Sequence, residues 1–165
     1  MTPQTALELR FADGDYLFDL KLPQLAELQR VRDCGIFKLY GRVLKGRYLM
    51  GDNPVALPED GEAYDADLYE TIRMGLIGGN KCVVNGVEAP VSAIRARQLV
   101  ETYCHPAPLT ESWSIAAAIL AARIHGYTPP AGKKKAPRAT ARPVKSSTLP
   151  KSPTTPPPSE PIGET

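Results

Sequence analysis

Cys104 and His105 stand side by side, and a thiol next to an imidazole is the raw material of a cysteine nucleophile. They lie in a bend bounded by Pro106 and Pro108, where sequence neighbours seldom face each other. The other cysteines, Cys34 and Cys82, are isolated, and no Cys-x-x-Cys occurs. With only one further histidine, His125, a Cys–His metal centre has too few ligands at usable spacing. Gly75-Leu76-Ile77-Gly78-Gly79-Asn80-Lys81 has the glycines of a phosphate loop. It closes a helical pattern where a phosphate loop would open one, and no Ser or Thr follows Lys81. Glu59, Asp60, Glu62, Asp65 and Asp67 form an acidic run without EF-hand spacing, which reads as a solvated loop and helix-start charge. These residue types in these positions point to no catalytic centre, no cofactor and no metal.

The elements around them are short. Leu7, Leu9 and Phe11 alternate with Glu8 and Arg10, then Ala12-Asp13-Gly14-Asp15 supplies turn chemistry with Gly14 free to take positive φ. Tyr16, Phe18, Leu20 and Leu22 complete an N-terminal hairpin. From Pro23 the period becomes helical through Leu25, Leu28, Val31 and Cys34, with Gly35 as a stop. A second short helix covers Ile36 to Lys45.

Residues 47–62 read as a loop with Tyr48, Leu49 and Met50 tucked onto the body. A third helix starts near Asp65 or Asp67 and carries Leu68, Ile72, Leu76 and Ile77 before Gly78-Gly79. Asn85-Gly86 between β-branched residues marks a small two-stranded flap. Ser92 caps a fourth helix to Tyr103. The fifth, Thr110 to His125, turns Trp113, Ala116, Ala117, Leu120 and Ile124 inward.

The fold class is therefore α+β, an N-terminal β-hairpin followed by a bundle of about five short helices, with a disordered C-terminal tail. Residues 1–130 form the domain and 131–165 the Pro/Lys/Arg-rich tail. Ten of the 17 prolines lie between Pro129 and Pro161, a density that denies hydrogen-bonded structure. The tail from Lys133 on holds seven Lys and Arg against two Glu, a charge of +5, so the body carries −3. The basic balance thus describes no binding face on the body. Without aromatic residues the tail offers nucleic acid only weak, salt-sensitive contact, and nucleic acid is not an expected partner. No run approaches the ~18 apolar residues of a membrane span. Met1-Thr2-Pro3-Gln4-Thr5 lacks the basic start of a signal peptide, so the chain is expected to stay where it is made.

Five segments in order carry a resemblance: Leu22-Pro23-Gln24-Leu25-Ala26-Glu27-Leu28-Gln29, Gly75-Leu76-Ile77-Gly78-Gly79, Leu99-Val100-Glu101-Thr102-Tyr103, Pro108-Leu109, and Ala118 through Gly126. Together, over residues 7–127, they resemble the phage tail assembly chaperone family of gene transfer agents and siphophage-like prophages. Residues 47–63 and 81–90 are longer than the family pattern, and no contact is carried over to them.

The resemblance implies a non-enzymatic helper that binds the tape measure protein and recruits the tail-tube protein, with self-association allowed. It implies action in the host bacterial cytoplasm and absence from the mature virion. Members are often extended by frameshifting, and Lys133-Lys134-Lys135 marks where a slippery run would fall. Leu25, Leu28, Ile72, Leu76 and Ile77 are the candidate client-binding residues, each also a candidate for the core. The alternative is a structural tail component, a tail-tube or tail-terminator subunit, which would need longer β-rich stretches than two hairpins provide.

Overall fold

The computed structural model describes residues 4–129. The proline-rich tail of the sequence reading lies outside the described residues. The body is α+β: strands β1 (Leu7–Phe11) and β2 (Gly14–Phe18), helices α1 (Leu22–Arg32) and α2 (Ile36–Leu44), strands β3 (Arg47–Met50) and β4 (Asn53–Ala56), and helix α3 (Asp65–Gly79). Strands β5 (Lys81–Val84) and β6 (Val87–Ala89) and helices α4 (Ala93–Leu99) and α5 (Leu109–His125) follow. A single 3-10 turn at Pro58–Asp60 precedes α3, and α4 runs on into a π-helical turn, Val100–Cys104.

The N-terminal hairpin forms in the register the alternation predicts, with Leu9 opposite Tyr16 and Phe11 opposite Gly14. The positive φ of its turn falls on Ala12, at 51°, and not on Gly14. Gly14 serves close approach instead, because a Cβ there would overlap the carbonyl oxygen of Val83. That approach joins two hairpins. β5 and β6 are no isolated flap, since Tyr16 pairs with Cys82 and Leu17 with Lys81, giving one antiparallel sheet in the order β1-β2-β5-β6. Phe11 meets Tyr16 and Phe18 edge to face, ring centroids 5.7 Å apart in both pairs, on the face turned to the helices.

Two central helices carry the core. α5 is apolar nearly all round from Trp113 to Ala122, the composition of a helix buried on more than one side. α3 touches β2, α5, α1 and α4. Gly75 is small enough for Phe18 and Ile119 to close on its backbone, and its carbonyl accepts from the Asp19 N–H at 3.0 Å.

Gly78 and Gly79 do not end α3. The helix runs through both and stops at Asn80, which takes the left-handed conformation at φ 48°. A methyl on Gly78 or Gly79 would overlap the carbonyl oxygens of Asp19 and Leu17, so this pair lets α3 lie against the end of β2. α1 likewise ends at Asp33, φ 49°, two residues before the glycine expected to stop it.

Residues 47–56 form a second hairpin where a loop was expected. Gly51 takes φ 64° at the first turn position, as a two-residue hairpin turn requires. Pro54 is tolerated because this sheet has only two strands, both of them edges. Tyr48, Leu49 and Met50 are exposed and not tucked onto the body.

Candidate client-binding surface

Of the five candidate contact residues, Leu28, Ile72 and Leu76 have no exposed surface. They belong to the continuous core, where burying a leucine or isoleucine side chain contributes about 1.5–3 kcal/mol. Leu25 and Ile77 are half-buried, and Ile77 packs against the core. A client could reach Leu28, Ile72 or Leu76 only if the helices parted.

Of the twelve large apolar side chains exposed among the described residues, five lie between Phe37 and Met50. Phe37 is 74% exposed, and Leu44, seven residues on, shares its side of α2. Gly41 lies between them with open space where a side chain would stand. One residue-pair later β3 presents Tyr48, Leu49 at 76% and Met50 at 68% exposure. Five exposed large apolar side chains, Phe37, Leu44, Tyr48, Leu49 and Met50, thus fall within residues 37–50, here called the ridge, and the charged residues of that stretch are the cations Lys38, Arg42, Lys45 and Arg47. Exposed apolar groups that adjoin one another mark a binding surface more often than singly scattered ones do.

The ridge stands on fixed supports. Trp113 donates its indole N–H to the Val43 carbonyl at 2.6 Å, satisfying one of the last carbonyls of α2. Gly46, at φ 85°, turns the chain from α2 into β3 over the Trp113 ring, and its carbonyl accepts from the Leu57 N–H at 2.7 Å. The Arg47 guanidinium lies 5.5 Å from the Trp113 ring centroid and reaches Ser114 Oγ at 3.2 Å. Lys45 pairs with Glu62.

Behind α2 sits a charged clasp. The Asp67 carboxylate is fully buried and accepts from Arg32 Nε at 2.7 Å and Arg42 at 2.8 Å through one oxygen. Its other oxygen accepts from the Tyr64 N–H at 3.0 Å, at the N-terminus of its own helix. One member of the acidic run is therefore interior, joining α1, α2 and α3, and not solvated. Arg42 Nε is buried without a partner among the described residues.

The groups with chemical potential are kept apart. Cys104 lines a cleft with Arg10, Phe11 and Ser112, whereas His105 lines a different cleft and packs at a tilt against Tyr69, ring centroids 4.8 Å apart. Burial pushes the Cys104 thiol up, the opposite of nucleophile activation. The His105 cleft, about 420 Å³, holds ionic groups already paired, Arg73 with Glu70 at 2.6 Å and Arg97 with Glu101 at 2.8 Å. All three cysteines are free thiols. Among the described residues no three His, Cys, Asp or Glu side chains come together as a metal site, and no helix is long and apolar enough to cross a membrane.

No protein-family profile, curated protein or solved structure matches the chain. The functional reading consequently rests on the surface itself and on the ordered sequence segments. The sequence places Tyr48, Leu49 and Met50 against the body, and their exposure was not legible because exposure of an apolar residue has no local sequence signal.

Proposed function

We propose that this protein is a tail assembly chaperone that holds the tape measure protein through the apolar ridge Phe37–Met50 and assists tail-tube assembly. The observation that carries the reading is the ridge: large apolar side chains left in solvent on a rigidly supported helix and hairpin. An amphipathic client helix would cover them with its apolar stripe. Of the cations along residues 38–47, Arg42 is held by Asp67, Lys45 by Glu62 and Arg47 over Trp113. Lys38, which forms no ion pair among the described residues, is the one placed to meet an acidic residue beside that stripe. The ordered segments between Leu22 and Gly126 supply the family resemblance that names the client.

Action in the bacterial cytoplasm and absence from the finished particle belong to the same reading. Co-expression with a phage tape measure protein from the same genome tests the proposal. A complex recovered by affinity capture, and lost with Phe37→Asp or Leu49→Asp in the folded chain, is the expected result. Recovery of no complex with the unmodified chain rejects the assignment.

A further inference from the structure

Strand β1 is an outer strand of the four-stranded sheet, and among the described residues its backbone bonds only to β2. The two-residue loop Ala12-Asp13 makes Phe11 and Gly14 the hydrogen-bonded pair that closes the turn. Pairs alternate along an antiparallel ladder, so Leu9 and Leu7 also direct their backbone groups at β2. Glu8 and Arg10 therefore turn their N–H and C=O groups to the open edge. Both side chains are exposed, and Arg10 also borders the cleft that Cys104 lines.

The strand is self-complementary. It reads apolar, acidic, apolar, basic, apolar from Leu7 to Phe11. Laid antiparallel on a second copy with a twofold axis at Leu9, each Glu8 comes opposite Arg10 of the other copy. Leu7 then stands opposite Phe11, so the core-facing surface continues across the junction. A one-residue slip sets the outward backbone groups against inward ones. A two-residue slip sets Glu8 opposite Glu8 or Arg10 opposite Arg10. One register satisfies backbone, charge and apolar face together. The pair Arg10–Asp15 within the chain, 3.7 Å and solvent-exposed, competes only weakly.

We propose that the β1 edge is a homodimer interface, joining two copies of this chain into one eight-stranded antiparallel sheet about a twofold axis at Leu9. Five residues a side is well below the roughly 20–30 of a standard stable interface, so the dimer dissociation constant is on the order of 10 μM or weaker. It uses a surface other than the ridge and does not depend on the client.

Sedimentation velocity of the full chain from about 5 to about 500 μM brackets that range. The expected result is a concentration-dependent shift from monomer to dimer. Glu8→Arg or Arg10→Glu alone sets like charges opposite each other twice per dimer and weakens association about tenfold or more. The double exchange Glu8→Arg with Arg10→Glu restores it. Circular dichroism checks that each variant is folded, and Glu8→Gln gives a smaller loss in the same direction should a reversal unfold. A chain that stays monomeric throughout overturns the proposal, and the two charges then serve only to blunt an edge. So does a dimer insensitive to the single changes, or a folded double exchange that fails to dimerise.

Discussion

The indole of Trp113, in the second turn of α5, is hydrogen-bonded at 2.6 Å to the carbonyl of Val43, near the end of α2. The contact is buried and spans 70 residues of sequence. It makes α5 the support on which α2, and with it the apolar ridge, is set. Trp113→Phe keeps most of the ring volume but leaves the Val43 carbonyl unpaired. A loss of about 1–3 kcal/mol is expected by urea denaturation. Trp113→Ala adds a cavity and should cost about 3–5 kcal/mol.

Among the described residues Asp67 is the one carboxylate with a fully buried side chain, shared by Arg32 and Arg42. Asp67→Ala leaves two guanidinium groups, each about four-fifths buried, without their counter-charge. The expected destabilisation is about 3–5 kcal/mol. Replacing Asp65, which is exposed at the same helix start, should change stability by about 0.5 kcal/mol at most. Chemical denaturation of the two variants side by side distinguishes a clasp from general helix-start charge.

Gly79→Ala gives a test with opposite signs. Helix propensity alone makes Gly to Ala in a helix stabilising by about 1 kcal/mol. The close approach to the Leu17 carbonyl makes it destabilising, by about 1–3 kcal/mol or more as the backbone is forced apart. A melting temperature that falls supports the packing role, and one that rises removes it.

The Tyr16 hydroxyl is pushed up to about 12, first by burial and then by its hydrogen bond to Asp13. A raised folded value means that this contribution is complete below the tyrosine's ordinary pKa of about 10. It is then lost as pH rises from there through about 12. Asp13 is held below its ordinary value, chiefly by the bond from Tyr16, with Arg95 adding to it. Its contribution is present above the ordinary carboxylate range and disappears as pH falls through its lowered value. Tyr16→Phe should therefore flatten the loss of stability at both ends of a pH series of urea melts. An unchanged alkaline limb would show that other groups set it.

On the ridge, Phe37→Asp and Leu49→Asp should leave the denaturation midpoint nearly unchanged, within about 0.5 kcal/mol, because neither side chain is part of the core. Both should abolish capture of the tape measure protein. Mass spectrometry of purified particles provides a second check, since a chaperone is expected to be missing from them and a structural tail subunit present.

Much of this architecture could be read locally. The alternation from Leu7 to Phe18, the Asn85-Gly86 turn, the Ser92 cap and the inward face of α5 are all short-range signals, and each corresponds to an observed element. What escaped was long-range or unpatterned. Pairing of Tyr16 with Cys82 depends on a register set 66 residues apart, which no local period encodes. The β3–β4 hairpin buries neither face, so it has no alternation, and Pro54 argues against a strand.

Asp67 looks like its acidic neighbours until Arg32 and Arg42 arrive from two other helices. The five candidate contacts follow helical spacing on two helices, Leu25 and Leu28 on α1 and Ile72, Leu76 and Ile77 on α3, but spacing alone does not say whether a stripe faces a core or a client. Ile119 and Ala122 were missed because α5 is covered on more sides than a single stripe describes.

The β3–β4 hairpin is anchored at its base, where Gly46, Leu57 and Trp113 close on one another, and by the Tyr48 hydroxyl, which donates to Asp60 at 3.1 Å. Its turn, Gly51-Asp52, is exposed and has no atom near the glycine. Sequence can therefore be lengthened at that tip without disturbing a single core contact, while the base keeps its aim. The same body could in this way be fitted to clients of different shape by trading one short arm, and a peptide tag grafted between Gly51 and Asp52 would report on what the arm touches.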